Sequence, residues 1–278
     1  MRNRLVLLVF LIVSGTAAAI DGVYEINQVC VPVGCFPGDP PGFPVFITES
    51  GSYRLTSNLV VPDANTTAIG YDSGTSVRID FNGFGLEGPV VCDGTGSCSA
   101  TGTGIGIMNL GSSAEADSLE VSNGFIKGFG GNGIFPVSTV SVHIQNVTVS
   151  HSGVHGIDCS LARCTIKDSK SVSNGSVGIL AAEIVTNSQI LNNGGSGVSA
   201  RRIEGCVVSG NGGTGIEAKL AIGNDSSFNG SFGFVVSGTG GGYTNNYFQE
   251  NNGGTPNPQV GPGAINLGGN VCGVALCP

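Results

Sequence analysis

Four charged residues in the second half of the chain are of types that can carry out acid–base chemistry. They are Asp158, Arg201, Glu217 and Lys219. A lysine or arginine can take the proton next to a uronate carboxyl group, while a second cation neutralises the carboxylate. A hydrolase would instead need two or three carboxylates around a glycosidic oxygen. This mixture points to a lyase or an epimerase acting on acidic sugars, with hydrolysis as the weaker alternative.

Three histidines, His143, His151 and His155, are the other residues with chemistry of their own. His151 and His155 flank a turn close to Asp158, and imidazole nitrogens are common metal ligands. No third ligand stands at a helix-like or hairpin spacing, so these residues also fit ordinary surface positions. We expect no bound metal and no cofactor, and His151 and His155 are the candidate ligands if a metal does bind.

Eight of the nine cysteines form close pairs in the sequence. The pairs are Cys30 with Cys35, Cys92 with Cys98, Cys159 with Cys164, and Cys272 with Cys277. In an exported protein this spacing predicts four local disulfides. The competing reading is a metal site, which the wide separation of the pairs and the lack of Cys-x-x-Cys spacing disfavour. Cys206 is left without a partner.

A short motif containing two or three glycines recurs along the chain. Its copies are residues 130–134, 153–157, 174–179, 193–198, 211–216 and 229–234. The final apolar positions are separated by 23, 22, 19, 18 and 18 residues. This period is too long for a hairpin meander and fits one coil of a β-solenoid, with two or three short strands per coil. Glycine is expected where the backbone takes positive φ.

Aligning the coils on the glycine turn places small polar residues in one column. The column contains Asn82, Asn123, Asn146, Ser169, Ser188, Cys206, Asn224 and Asn246. Stacked amides or hydroxyls can bond to backbone groups at a bend and to the same position one coil away. Cys206 is then a small buried thiol within a ladder, and the alternative is a reactive nucleophile.

The same alignment gives the outward-facing residues of the strand after each glycine turn. Because strand side chains alternate, the second and fourth residues of that strand are expected to face outward. Arg201, Glu217 and Lys219 then lie close together, with Asp158 roughly 10–14 Å away at the ~4.8 Å spacing of strands. The column also fits a solvated sheet face with an ordinary salt bridge, because apolar residues interrupt it. These are Leu180, Ala182 and Val235.

These repeats resemble the right-handed parallel β-helix repeat family over roughly Asp80 to Asn252. The resemblance implies an all-β, right-handed parallel β-helix with capped ends, of the pectate-lyase-like type. Family members include pectate lyases, polygalacturonases, mannuronan epimerases, phage tailspikes and non-enzymatic exported proteins. The Asp/His clusters of alginate epimerases and the carboxylate motifs of polygalacturonases are absent here, so the resemblance predicts the fold and leaves the activity open.

The chain begins with the features of an export signal. Arg2 and Arg4 precede an apolar run, and Ala17 and Ala19 complete an Ala-x-Ala pattern, which together predict a signal peptide over residues 1–19. Residues 20–278 are expected to form one β-helix domain, with an N-terminal cap over 20–46, coils over 47–252 and a C-terminal cap over 253–278. No later segment reads as membrane-spanning. Secretion or export to the periplasm is therefore predicted.

Charge and aromatic content restrict the partner. The formal net charge of -8 argues against nucleic acid. The chain has no tryptophan, which disfavours a stacking cleft for sugars. We expect a monomer whose partner is a polysaccharide or a surface component.

Three functional hypotheses follow. The first is a non-catalytic exported module that acts in a surface, matrix or interaction role. The second is a polysaccharide lyase, epimerase or, less readily, hydrolase that uses Asp158, Arg201, Glu217 and Lys219. The third is a periplasmic accessory protein for metal or cofactor assembly that relies on His151 and His155.

Overall fold

The computed structural model describes residues 22–111, 118–254, 257–273 and 275–277. The predicted signal peptide lies outside these residues. The described chain folds into strands without a helix, and the strands wind into a β-solenoid of about 10 turns. Within the same residues, none of the structure forms a helix able to cross a membrane.

Within the described residues, twenty-six strands follow one another. They are β1 (Val23–Ile26), β2 (Val45–Ile47), β3 (Gly51–Leu55), β4 (Leu59–Val60), β5 (Ile69–Tyr71), β6 (Ser76–Asp80), β7 (Gly85–Glu87), β8 (Ile107–Asn109), β9 (Ser118–Lys127), β10 (Ile134–Phe135), β11 (Ser141–Ser150), β12 (Ile157–Asp158), β13 (Cys164–Lys167), β14 (Lys170–Val172), β15 (Ile179–Thr186), β16 (Gln189–Leu191), β17 (Val198–Glu204), β18 (Val207–Ser209), β19 (Ile216–Ile222), β20 (Asp225–Ser227), β21 (Phe234–Val236), β22 (Gly242–Thr244), β23 (Tyr247–Gln249), β24 (Ile265–Asn266), β25 (Val271–Cys272) and β26 (Ala275–Leu276).

Each coil contributes to three parallel faces. Face A holds the strands that follow the glycine turns, namely β2, β5, β8, β10, β12, the first parts of β15, β17 and β19, and β21. Face B holds β1, β3, β6, the first parts of β9 and β11, β13, the later parts of β15, β17 and β19, β22 and β24. Face C holds β4, β7, the later parts of β9 and β11, β14, β16, β18, β20, β23 and β25.

The core is a set of vertical stacks of β-branched side chains between these faces. On face A the stack runs through buried isoleucine and valine residues that are paired strand to strand: Ile134, Ile157, Ile179, Val198 and Ile216. β-Branched side chains are stiff and pack well on a pleated surface, so every coil buries the same apolar face as its neighbours. Burial of this kind contributes about 25 cal/mol for each Å² of apolar surface removed from water.

The recurring glycines lie at the edge where face C turns into face A. Gly156 and Gly197 do not have positive φ. Their side-chain position is instead filled by the next coil, because a Cβ on Gly197 would lie 2.6 Å from the carbonyl oxygen of Gly215. The expectation that the motif glycines supply positive φ is thus wrong at these positions. Close stacking of backbone is what excludes a side chain there.

Two columns of buried polar side chains line the inner bends. At the bend from face B to face C, each member accepts a hydrogen bond from the backbone N–H of the residue one coil below. This first ladder contains Ser169, Ser188, Cys206, Asn224, Asn246 and Asn270. Cys206 is buried, and burial raises the pKa of its thiol to about 11, which suits a ladder position and not a nucleophile.

Asn82, Asn123 and Asn146 lie outside this inner column. All three are exposed and have positive φ. The buried residue one coil below Ser169 is Val147, whose backbone N–H donates to the Ser169 hydroxyl at 3.2 Å. The residues predicted to form one column therefore belong to two adjacent columns. In each coil, the exposed residue with positive φ comes one position before the buried ladder residue.

A second ladder occupies the bend before the glycine turn, and its asparagines open the glycine motif itself. Its members are Asn174, Asn193, Asn211, Asn229 and Asn251, and Gln259 closes it. Each asparagine donates both its backbone N–H and its Nδ2 to the Oδ1 or Oε1 one coil above. The side chains are almost completely buried. These ladders satisfy polar groups that would otherwise be unpaired in the core.

All four predicted disulfides are present: Cys30–Cys35, Cys92–Cys98, Cys159–Cys164 and Cys272–Cys277. The Cys92–Cys98 pair lies in a long loop between β7 and β8 that runs along the glycine edge. Nδ1 of His151 lies 3.1 Å from the backbone nitrogen of Cys92 and 3.0 Å from its carbonyl oxygen. Further along, the loop packs against the backbone of Asn192. A Cβ placed on Gly94 of the loop would lie 2.9 Å from the carbonyl oxygen of Asn192.

We predict that replacing Asn193 with alanine destabilises the fold by about 2–4 kcal/mol, because buried donors and acceptors lose their partners. Asn193 Oδ1 accepts from Asn174, and Asn193 Nδ2 donates to the carbonyl of Ser171 at 3.1 Å. Chemical unfolding followed by circular dichroism measures the change. The control is Asn192→Gly, at the exposed left-handed position next door. Equal losses in the two variants would contradict the role of the ladder.

We predict that His155 makes the fold less stable in acid. Its Nδ1 accepts a hydrogen bond from the backbone N–H of Val177 at 3.2 Å, so protonation of Nδ1 breaks this contact. Burial lowers the pKa of His155 below its ordinary value of 6.5, and the nearby Asp158 opposes this effect. The contribution is complete above pH 6.5, where unfolded histidine is neutral, and is lost as the pH falls through the folded-state pKa.

Unfolding free energies between about pH 5 and about pH 8 test this prediction. The wild-type protein should lose stability more steeply toward acid than His155→Gln. Parallel pH profiles for the two proteins would show that His155 has no such effect.

Candidate functional site

Arg201 and Lys219 face outward side by side where face A bends into face B. The register pairs Ala200 with Ala218 and Arg202 with Leu220, which leaves Arg201 opposite Lys219 on the neighbouring strand. The two cations are therefore about 4.8 Å apart at the backbone, one strand spacing. Glu217 is also exposed, two residues before Lys219 on the same strand. The structure thus brings together three of the four charged residues singled out in the sequence.

Glu183 occupies the place in this row that the alignment of repeats gives to Ala182. Ala181 has positive φ, and the register between β15 and β17 shifts between Ile179 and Ala182. This extra residue turns Ala182 into the core and brings Glu183 outward, where it forms an ion pair with Arg201. Ala182 is therefore wrongly predicted to face outward. The signal was present in the sequence, because this coil is one residue longer than the next two.

Two shallow hollows flank these cations. One, of about 320 Å³, is lined by Glu183, Ser199, Arg201, Lys219 and Ser237 among others. The other, of about 340 Å³, is lined by Arg201, Arg202, Lys219, Leu220, Gly242, Ile265 and Leu267 among others. Arg201 and Lys219 line both hollows, so they form a ridge between them. We call Arg201, Arg202 and Lys219 the cationic corner.

The charges of the cationic corner are only partly neutralised. Arg201 pairs with Glu183, and Arg202 pairs with Glu204 at 2.6 Å. Lys219 has no salt bridge within the described residues. Exposed ion pairs of this kind contribute about 0–1 kcal/mol, so an incoming anion can replace the partner carboxylates at small cost.

Asp158 lies apart from the cationic corner. Three strand steps separate it from Glu217 through Leu180 and Ser199. Its carboxylate is buried and accepts hydrogen bonds from the Ser160 backbone N–H at 3.0 Å and from Asn132 Nδ2 at 3.3 Å. These contacts hold a turn, and they leave Asp158 without a position facing either hollow.

The acid–base group next to the cationic corner is Glu183, which lines one hollow and is held in an ion pair with Arg201. Neither hollow is lined by a histidine or a tyrosine among the described residues, and Glu217 lines neither of them. Arginine does not release its proton in proteins, which leaves Lys219 as the one side chain of the corner that can take a proton. The geometry can hold a carboxylate or another anion, and supplies little for moving protons.

The two candidate metal ligands are engaged elsewhere. Nδ1 of His151 contacts the backbone of Cys92, and Nδ1 of His155 accepts from Val177. Across the part of the chain that the structure describes, no three side chains of His, Cys, Asp or Glu come together as a metal site. His155 joins neighbouring turns, and His151 ties the loop that carries Cys92 to the edge of the solenoid.

Comparison with known proteins gives a likeness in structure alone. No protein-family model matches the chain, and no curated protein sequence matches it. The A-module of the Azotobacter vinelandii mannuronan C-5 epimerase AlgE4 superposes with a TM-score of 0.58 at 17% identity, over 86% of this chain and 70% of that one. The A-module of the epimerase AlgE6 from the same organism gives 0.56 at 17% identity, over 86% and 68%. The predicted right-handed parallel β-helix is therefore confirmed as the fold of this chain.

Proposed function

We propose that this protein is a non-catalytic, exported β-helix module that binds an acidic polysaccharide at the cationic corner. One observation carries the proposal. Arg201, Arg202 and Lys219 converge from two neighbouring coils in a chain whose net charge is -8. A local cation cluster on an acidic protein favours an anionic ligand, and the negative remainder of the surface limits non-specific contacts.

The spacing of the cationic corner suits a repeating ligand. Arg201 and Lys219 project from adjacent strands of one rigid stack, so they meet successive groups of a chain that runs along the solenoid axis. Guanidinium groups bind carboxylates in a bidentate manner, while the lysine ammonium acts as a point charge. Carboxylates of a uronate polymer match both groups. Four disulfides fit the oxidising compartments in which such polymers occur.

The likeness to epimerase A-modules favours a second candidate, an enzyme acting on the same ligand. In that case Lys219 would take the proton next to the uronate carboxyl group, and Arg201 and Arg202 would neutralise the carboxylate. We favour binding because the corner is exposed and Glu183, the carboxylate that lines one of its hollows, is held in an ion pair with Arg201. Catalysis of this type relies on groups held within hydrogen-bond reach of the reacting atoms.

We predict that Lys219→Ala and Arg201→Ala each weaken the binding of a short uronate oligomer about tenfold, the size expected for one charge-assisted hydrogen bond. Isothermal titration calorimetry at low ionic strength measures the change. The matched control is Lys170→Ala, which removes an exposed lysine from face C. Binding that is weakened equally by the control, or unchanged in both corner variants, would contradict the proposal.

An experiment on the wild-type protein distinguishes binding from catalysis. Incubation with uronate polymers should give no unsaturated product absorbing in the ultraviolet and no change in the proportion of C5 epimers by nuclear magnetic resonance. Turnover that is present in the wild type and abolished in Lys219→Ala would establish the enzyme in place of the binding module.

A further inference from the structure

A third hollow lies on face B, toward the N-terminal end of the solenoid. It measures about 290 Å³, and its lining residues include Ser52, Ser76, Ser118, Arg78, Glu120 and His143. We call it the serine hollow. None of its residues belongs to the cationic corner.

The serine hollow results from two neighbouring rows of outward side chains on face B. Ser76 is paired with Ser118, and Ser118 with Ser141, which gives a row of short side chains. The next outward row contains the longer Arg78, Glu120 and His143, again in register. Because a row of long side chains stands beside a row of short ones, the surface is hollow over the serines.

The chemistry of the serine hollow differs from that of the cationic corner. Arg78 and Glu120 form an exposed ion pair at 2.9 Å, so the hollow carries donors and acceptors with little net charge. The imidazole of His143 also lines the hollow, and its Nε2 lies 3.3 Å from Oγ of the neighbouring Ser141. Such a set suits the hydroxyl groups of a sugar, since each hydroxyl both donates and accepts hydrogen bonds.

The two sites share one row of the solenoid. The pairing runs without a break from Arg78 to Arg202, through Glu120, His143, Thr165 and Ile184. These five strand steps correspond to about 24 Å at the ~4.8 Å spacing of strands. Thr165 and Ile184 have short side chains, so no long residue of this row stands between the two sites. A linear ligand lying parallel to the solenoid axis therefore meets both.

We infer that the serine hollow is a second sugar-binding site that acts together with the cationic corner on one polysaccharide chain. The inference rests on the proposed function, because the corner supplies the anchor for the acidic ligand. A short oligomer reaches only one site. An oligomer that spans about 24 Å binds both, and the second contact then forms at a high effective concentration.

The test measures affinity against oligomer length, using uronate oligomers of defined size and isothermal titration calorimetry. We expect the affinity of the wild-type protein to rise at least about tenfold once the oligomer spans both sites. Arg78→Ala combined with His143→Ala should remove this rise and leave the affinity for the shortest oligomer unchanged. Ser118→Gln, which fills the hollow and keeps its charged rim, should do the same.

Each outcome has a distinct meaning. A rise with length that persists in both hollow variants, or that is absent from the wild type, overturns the second site and leaves the cationic corner intact. Short oligomers whose binding does not depend on Lys219 overturn the proposed function instead. Circular dichroism and thermal unfolding of each variant establish that a lost rise comes from a folded protein, and Lys170→Ala again serves as the control.

Discussion

Hydrogen bonding between identical positions of successive coils is the interaction on which the structure depends. At both inner bends a buried side chain accepts the backbone N–H of the coil below, as Asn211 does for Asn193 at 3.0 Å. An unpaired buried donor costs about 1–3 kcal/mol, and the cost recurs on every coil. Slippage of one coil by a residue would break these bonds and turn the apolar stack outward at once. The ladders therefore fix the register of all three faces.

The same register sets the positions of the outward-facing side chains. Because Ala200 and Ala218 are locked into the core, Arg201 and Lys219 must lie side by side. The irregularity at Ala181 is a bulge of the kind that re-aims a side chain, and it sets Glu183 against Arg201. On face B the same rule aligns Arg78 with Arg202 across four intervening coils. A functional row on such a fold needs no dedicated loop, since the backbone spacing positions it.

The sequence allowed the period, the parallel β-helix and the disulfide pairs to be predicted, because each is a local or repeating signal. The sequence also allowed Ser169, Ser188 and Asn224 to be assigned to one column, because their coils have nearly constant length. Asn82, Asn123 and Asn146 come from longer coils, where a one-residue offset cannot be seen without knowing where the extra residues are accommodated. The second ladder is visible in the sequence as the asparagine that opens the last four copies of the glycine motif. The serine hollow could not be predicted either, because it also depends on where the extra residues of a long coil are accommodated. The strands holding Arg78 and Glu120 are separated by a long excursion that carries Cys92 and Cys98, so their pairing is set by tertiary structure.

Rigidity and exposure together support the proposal that the site binds a ligand without turning it over. A β-solenoid presents cations and hydroxyls at fixed intervals, so little side-chain and backbone freedom remains to be lost when a linear ligand settles along it. Catalysis also requires a site that excludes water, so that its charges act strongly on the reacting atoms. Arg201 and Lys219 are exposed, and the segment nearest to them, around Gly238 and Gly240, is exposed as well. In the proposed binding mode, affinity comes from the number of coils engaged and not from the depth of any one pocket, so the length of the ligand is expected to set its affinity as much as its charge does.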